Sequence, residues 1–472
     1  MITLNTQQQA AHDQLVAYLT GEDTSRKFWL LKGYAGTGKT TTIGTVIKSV
    51  MEAKRGGYLS TPTIAISAPT HKAVQVLKRM RSFDGDVMYA TIHSLLGLKE
   101  HIDNATGKQS FQRDTASKYM PPIDGVDILI VDEVSMLNNE LFMHIIPYVN
   151  NGLKLVLMGD PVQIPPVNET DPVPFTPEGV KKYNIGVMEL TDIVRQAAHN
   201  PILLYATALR EIYKTGDIRA VSAMYEGTGV DVMPFAFDDK LQGLLDKYFN
   251  CEDFRNDPDH AKVIAWTNAT VNNINGRIRE LIYGPMPRKI MVGEKLICDK
   301  PVMRSDTVIL SANTEIEVLS YEILSKTIGF TISGGIDHKY REETFRYYRC
   351  TVRYNWIDLM GELRVRQEIV DIIHEDSEQA FHKMQGLMKN CILENTGKTL
   401  RGMMWKKFYA NDKQFAWVKY NYAITAHKSQ GSTYGIAIVL EWDINKNRKT
   451  EERNRIKYVA ATRPSRLLHI VI

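Results

Sequence analysis

The run Gly33-Tyr34-Ala35-Gly36-Thr37-Gly38-Lys39-Thr40 narrows the possible folds more than any other stretch of this chain. It has the form G-x-x-x-x-G-K-T and follows the apolar, strand-like segment Phe28-Trp29-Leu30-Leu31. Glycines open backbone conformations closed to residues with a Cβ, so successive N–H groups can turn inward around an anion. Residues from about Thr41 to Ala53 read as the helix that follows, whose N-terminal dipole favours negative charge. Strand, glycine loop and helix in this order make a cradle for a nucleoside triphosphate such as ATP. Gly36, Thr37 and Gly38 would wrap the phosphates, Lys39 would reach the outer ones, and the Thr40 hydroxyl would ligate Mg²⁺.

A chain of 472 residues exceeds one ordinary core, and roughly two to four domains are expected. Hydrophobic content of 44% and charged content of 24% fit a soluble globular protein without low-complexity segments. The formal charge of +4 permits a local basic groove without requiring one. No apolar run approaches the roughly 18 residues that span a bilayer, and Met1-Ile2-Thr3-Leu4-Asn5 lacks the regions of a signal peptide. Cys251, Cys298, Cys350 and Cys391 stand alone with no C-x-x-C spacing. The expectation is a reduced, cytoplasmic protein with no membrane contact and no structural zinc.

To about residue 180, short apolar runs alternate with helical stretches. Strands are expected at 28–32, Thr63–Ser67, Ile128–Val131 and Lys154–Met158, the pattern of a parallel sheet covered on both faces. Between Lys99 and Asp124 the pattern breaks into a polar excursion, read as a small β-hairpin because a structureless loop of that length is uncommon. A second α/β pattern runs from about Val187 to Tyr283, with a strand at Lys262–Trp266, and resumes near Ala423 with strands at Gly435–Glu441 and Leu467–Ile472. The stretch between reads as an insertion. It has short β-like pieces (Lys295–Cys298, Glu315–Leu319, Phe330–Ile332, Arg346–Val352), then a helix around Ser377–Met388 and the patch Trp405-Lys406-Lys407-Phe408.

Val131-Asp132-Glu133-Val134-Ser135 ends an apolar strand, where two acids can divide two tasks. Asp132 would hold hydrated Mg²⁺ and Glu133 would orient and deprotonate an attacking water. Gln163, in Gly159-Asp160-Pro161-Val162-Gln163, could touch the γ-phosphate or that water, although Gly-Asp-Pro alone is ordinary turn chemistry. Arg195 and Arg463 come from the second α/β pattern and could place positive charge against the phosphate oxygens. A single arginine is more often a surface ion pair, so the reading rests on the ensemble.

These segments, in this order, resemble superfamily 1 helicases, in the 5′→3′ branch (superfamily 1B) that holds the Dda-like and RecD-like proteins. Leu4–Ala11 is similar to the adenine-reading motif, which puts Gln8 on the base. Ala68–Ala73 resembles motif Ia and Thr91–Ser94 motif Ib. Val131–Ser135 corresponds to motif II, Gly159–Gln163 to motif III and Leu190–Gln196 to motif IV. Thr425–Thr433 matches motif V closely, and Tyr458–Arg463 matches motif VI with Thr-Arg-Pro in place of the usual Thr-Arg-Ala/Gly. The resemblance implies two RecA-like P-loop motor domains with ATP between them and single-stranded DNA across their tops. The first motor would span 1–183 with a pin-like hairpin at about 97–125, and the second 184–285 and 416–472. An SH3-like, β-rich insertion would fill 286–415, and Phe111 would sit where a pin carries a base-stacking aromatic.

Motifs Ia, Ib and V bring Thr70, His71, Thr91, His93, His427 and Thr433 to loop ends, a placement suited to phosphate contacts. His93 taken alone reads as a packed or capping residue, and Trp405 and Phe408 read as helix packing ahead of base stacking. The expected activity is ATP-dependent translocation on single-stranded DNA with separation of duplex at single-strand/duplex junctions, in replication or recombination. The resemblance makes a phage origin (hence host cytoplasm) and replication partners such as a single-strand-binding protein plausible. The alternative is a DNA-stimulated ATPase that translocates or remodels proteins without productive unwinding. A non-enzymatic scaffold has no need of Glu133, and a small-molecule kinase has no need of motif V. Polarity is inherited from the resemblance alone.

Overall fold

The computed structural model describes residues 3–55, 62–79, 87–113, 120–166, 169, 171–193, 200–214, 216, 229–233, 238–304, 307–332, 339–357, 362–394 and 397–472. The chain divides into two compact units. One comprises Met1–Gly97, Thr115–Ile274 and Tyr422–Ile472, and the other Leu98–Asp114 with Asn275–Asn421.

The strands of the first region, in chain order, are β1 (Phe28–Gly33), β2 (Ile64–Ala68), β3 (Val87–Thr91), β4 (Leu98–Ile102), β5 (Gln109–Arg113), β6 (Ile128–Val131), β7 (Lys154–Gly159) and β8 (Ile185–Leu190). Six of them form a sheet in the order β3-β2-β6-β7-β1-β8 with parallel pairing throughout. Phe28, Leu30, Leu31 and Ile128–Val131 are buried, which is why these strands read as unbroken apolar runs. The glycine loop leaves β1 and enters the helix Lys39–Arg55, while β6 and β7 lead into the acid pair and the glutamine loop. All three motifs therefore emerge at the carboxyl ends of neighbouring strands, where ligands of open α/β sheets bind. β8 pairs with β1 from Phe28↔Ile185 to Gly33↔Leu190. The first sheet thus extends past the expected boundary at 183/184, because β8 completes an edge of it instead of opening the second.

The second sheet uses β9 (Val230–Met233) and β10 (Ala261–Ala265) before the insertion. The insertion carries β11 (Lys295–Cys298), β12 (Val302–Arg304), β13 (Thr307–Leu310), β14 (Glu315–Ile332), β15 (Lys339–Ile357), β16 (Leu363–Ile373) and β17 (Val418–Tyr420). The chain then returns as β18 (Ala423–Thr425), β19 (Tyr434–Leu440) and β20 (Pro464–Val471). The order of the second sheet is β18-β10-β19-β20-β9, again all parallel. Pro464 opens β20 directly after Arg463, where a strand's first position tolerates its missing donor.

In the other unit, five antiparallel strands run β16-β15-β14-β11-β17. Because β17 pairs with β11, this sheet reaches Tyr420, beyond the expected end of the insertion at 415. The pieces at Glu315–Leu319 and Phe330–Ile332 belong to one long strand, β14, paired with β15 across a bulge between Val318 and Ser320. The helix Glu375–Glu394 lays Phe381, Met384 and Met388 on Ile328, Phe330 and Phe345 of this ribbon. The expected hairpin is present as β4 and β5, paired antiparallel.

Candidate active site

In the glycine loop, Gly36 and Gly38 hold φ of +77° and +79°, the left-handed region that a side chain resists. Lys39 Nζ folds back on its own loop, donating to Gly33 O at 2.6 Å and Tyr34 O at 3.3 Å. Those carbonyls hold the ammonium over the cradle. Thr37 is buried and donates its hydroxyl to Tyr34 O at 2.9 Å, and Thr40 lies in the first turn of the helix beyond. Gln8 Nε2 donates to Thr37 O at 3.0 Å while its Oε1 accepts from Asn5 N–H, closing a capping box on the helix Thr6–Thr20. These contacts use one of the two N–H groups of the Gln8 amide and one of the two lone pairs of its oxygen.

The acid pair faces this loop. Asp132 Oδ1 accepts the Glu133 N–H at 2.8 Å, and Glu133 is held at φ +53°, a strained value for a residue with a side chain. Burial holds the Asp132 carboxyl above the ordinary carboxylate value against the opposing charge of Lys39. Burial also raises Glu133, and Asp132 pushes it further up, while Arg463, Lys39 and a Gln163 hydrogen bond pull it down. One carboxylate thus senses a cation from each sheet. Gln163 also accepts from Ser135 Oγ, at 3.5 Å.

Arg463 is buried. Its Nε donates to Val459 O at 2.9 Å, Nη2 to Thr462 Oγ1 at 2.8 Å, and Nη1 to Ser432 O and Ser429 O at 3.3 and 3.5 Å. The motif V loop therefore holds the guanidinium in place. Arg195 lies outside the described residues. Among the described residues no group of three His, Cys, Asp or Glu side chains is placed to hold a metal ion. Thr40 and Asp132 would instead offer one oxygen each, a donor type that suits Mg²⁺ completed by phosphate and water.

The proposed DNA contacts share a local design. Thr70 Oγ1 accepts from Ala73 N–H, Thr91 Oγ1 from Ser94 N–H and Thr425 Oγ1 from Lys428 N–H, each capping a helix that follows a strand. His71, His93 and His427 follow within two residues. Desolvation holds all three imidazoles below their ordinary value, so at neutral pH they offer hydrogen bonds and no charge. Thr91 is buried and committed to its cap, whereas Thr433 is exposed. In the hairpin, Phe111 is 47% exposed and lies opposite Glu100.

The hairpin is bound to the helix Lys398–Asp412 of its own unit. Tyr409 Oη donates to Gly107 O at 2.7 Å, Arg401 Nη1 donates to Ala105 O at 3.2 Å, and Lys413 Nζ pairs with Glu100 at 2.5 Å. Trp405 is buried, packs edge-on against Phe408 and covers Gly107, so both aromatics serve packing as expected. Sequence reasoning missed Tyr458 and Arg455 as contacts of the glutamine loop. Tyr458 Oη donates to Asp160 Oδ2 at 2.6 Å, and Arg455 Nη1 donates to Pro161 O and Gln163 O, both at 3.1 Å. Their signal was available: a phenol and a guanidinium one helical turn apart in a buried segment must each find polar partners.

Comparisons with known proteins agree with the motif series. The AAA domain family matches residues 3–234, and the UvrD-like helicase C-terminal domain family matches residues 420–471. The chain is 25% identical to the ATP-dependent DNA helicase dda of Enterobacteria phage T4, over 92% of each chain. It is 24% identical to the uncharacterized protein R530 of Acanthamoeba polyphaga mimivirus, over 99% of each. It is 31% identical to the ATP-dependent RecD2 DNA helicase of Deinococcus radiodurans over 44% of this chain and 24% of that protein. The crystal structure of Pif1 helicase from Candida albicans superposes with a TM-score of 0.50 and 17% identity, covering 100% of this chain and 94% of that one, a likeness of fold. Over 92% of its length the chain is thus similar to an ATP-dependent DNA helicase, and the nucleotide motifs around both sheets converge on Glu133.

Proposed function

We propose that this protein is an ATP-dependent DNA helicase that tracks 5′→3′ on single-stranded DNA and separates duplex at junctions. The observation that carries the reading is the Glu133 carboxylate, which lies in the field of Lys39 from the first sheet and Arg463 from the second. Hydrolysis between two sheets changes how firmly they are held together, and that change can drive alternating grips on a strand.

In the chemical step Glu133 takes a proton from a water that attacks the γ-phosphorus. The bond to the β-phosphate oxygen breaks, and ADP leaves with the electron pair. Lys39 and Arg463 offset the charge on the transferring group, and Gln163 orients the water. Thr40 and Asp132 would hold Mg²⁺, which supplies further neutralisation of phosphate charge when bound. Thr70, His71, Thr91, His93, His427 and Thr433 are the candidate contacts to the strand, with Phe111 stacking where the duplex opens and the SH3-like insertion as accessory. A single-strand-binding protein is a candidate partner. Among the described residues no helix is long and apolar enough to cross a membrane.

Unwinding of partial duplexes bearing a 5′ or a 3′ tail, with ATP and Mg²⁺, tests the proposal. The 5′-tailed substrate should open and the 3′-tailed one should not. ATP hydrolysis stimulated by single-stranded DNA with neither substrate opened would instead favour the translocase reading.

A further inference from the structure

The glutamine loop leaves the first sheet, yet its side chains and backbone are built into the second. Val162 and Ile164 are buried in a cluster with Ile202, Tyr205, Ile424 and Ile456. Gln430 Nε2 donates to Ile164 O at 2.9 Å, and Arg455 bridges Pro161 O and Gln163 O. Arg455 is itself pinned by Asp171 and Glu451, both at 2.9 Å.

At the head of the loop, Asp160 is 1% exposed and divides its two oxygens. Oδ1 accepts the Val162 N–H at 2.9 Å and Oδ2 accepts the Tyr458 hydroxyl at 2.6 Å. The Tyr458 oxygen in turn accepts the Ala35 N–H of the glycine loop, at 3.4 Å. Burial and the Asp160 charge hold Tyr458 far above the ordinary phenol value, so it stays protonated and stays a donor. A single hydroxyl on the helix Thr450–Ala461, which leads into β20 of the second sheet, therefore touches two nucleotide-binding loops of the first.

Building on the ATP-hydrolysis reading above, we propose that Tyr458 is a positioning residue for hydrolysis: its hydroxyl ties Asp160 to Ala35 and so sets where Gln163 stands relative to Glu133. Tyr458 need not touch the phosphates to do this. The O–H fixes one end of a short turn, Gln163 N–H closes that turn on Asp160 O at 3.3 Å, and Arg455 fixes the other end. With the hydroxyl gone, the ring still fills its place in the core, but the turn is free to shift. A shift on the order of 1 Å at a water-orienting group costs about 100-fold in rate.

The test is Tyr458→Phe in the full chain, assayed for ATP turnover at saturating single-stranded DNA. The kcat should fall about 10- to 100-fold while the KM for ATP holds close to the parent; the thermal midpoint should drop modestly, because a buried Asp160 oxygen loses its hydroxyl donor. Tyr458→Phe and Asp160→Asn combined should be no slower than the worse single variant, because both cut the same bond. A kcat within twofold of the parent overturns the proposal. So does a fall in kcat matched by a rise in KM, which is the mark of a structural role. If Tyr458→Phe does not fold, Asp160→Asn decides by the same criteria, since it weakens the tie and leaves the ring. Absence of ATPase in the parent protein would instead sink the functional reading, so the two failures are distinguishable.

Discussion

Replacing Gly107 with alanine should uncouple strand separation from ATP consumption. Gly107 sits at the hairpin turn with φ +71°, where its N–H bonds Asp103 O at 2.8 Å. A Cβ built there falls 2.4 Å from the Trp405 ring, closer than real Cβ contacts come. The left-handed backbone costs a residue with a side chain about 1–2 kcal/mol. Forcing a methyl against the ring adds about 1–3 kcal/mol of overpacking. Against this sum stand two hydrogen bonds, from Tyr409 and Arg401, at about 1 kcal/mol each. The Lys413–Glu100 pair is partly exposed and contributes about 0–1 kcal/mol. The substitution thus matches or exceeds what fastens the turn, and the hairpin tip should come off the helix Lys398–Asp412.

The assay measures base pairs opened per ATP hydrolysed on a 5′-tailed duplex, beside ATPase on single-stranded DNA alone. Unwinding per ATP should fall severalfold with DNA-stimulated ATPase unchanged. In a Trp405→Ala background the same glycine change should cost only the backbone component, since the ring it strikes is gone. Wild-type unwinding per ATP by Gly107→Ala would refute the reasoning, as would equal cost in both backgrounds.

Arg463→Ala should bind nucleotide as the parent does yet lose turnover by about 1000-fold or more, the usual scale of an arginine acting on the transferring phosphate; equilibrium binding of a fluorescent nucleotide beside kcat checks this. Because burial and Asp132 raise Glu133, its loss as a base should begin above the ordinary carboxylate range, near pH 4.3, as pH falls. A kcat–pH profile with no acid limb above that range would contradict it. The same raised values mean that folded Asp132, Glu133 and Asp160 take up protons more readily than the unfolded chain, so their penalty to stability at neutral pH fades on acidification. Lys457 and Glu441 pair at 2.7 Å with 3% and 1% of their side chains exposed. Lys457→Met should therefore cost about 3–5 kcal/mol by urea titration, through the uncompensated glutamate left behind.

What was legible in the sequence follows from burial. Ile128–Val131 and Lys154–Met158 are enclosed on both faces and announce themselves as apolar runs. The middle of β14, from Ser320 to Thr327, is half-exposed or exposed, so no hydrophobic rhythm joined its two buried ends and they read as separate pieces. β8 was legible as apolar sequence but not as a member of the first sheet, because no local pattern states which strand a neighbour will be. The nucleotide residues were legible because their chemistry fixes both residue type and spacing. Gln8 carries two readings at one spacing: the motif assigns it to a base, and Asn5-x-x-Gln8 is also a helix cap, which the structure forms with one donor and one acceptor of the amide. Tyr458 opens motif VI, but its acceptor lies 298 residues away and only the fold brings them together.

The central claim is that cations from both sheets meet one triphosphate. A high-resolution structure with ADP, aluminium fluoride, Mg²⁺ and an oligo-dT strand tests it most directly. Lys39 Nζ should leave Gly33 O, Arg463 should leave the carbonyls of Ser429 and Ser432, and both should reach hydrogen-bond distance of the fluoride. An aluminium fluoride bound by Lys39 alone, with Arg463 still on those carbonyls, would contradict the account.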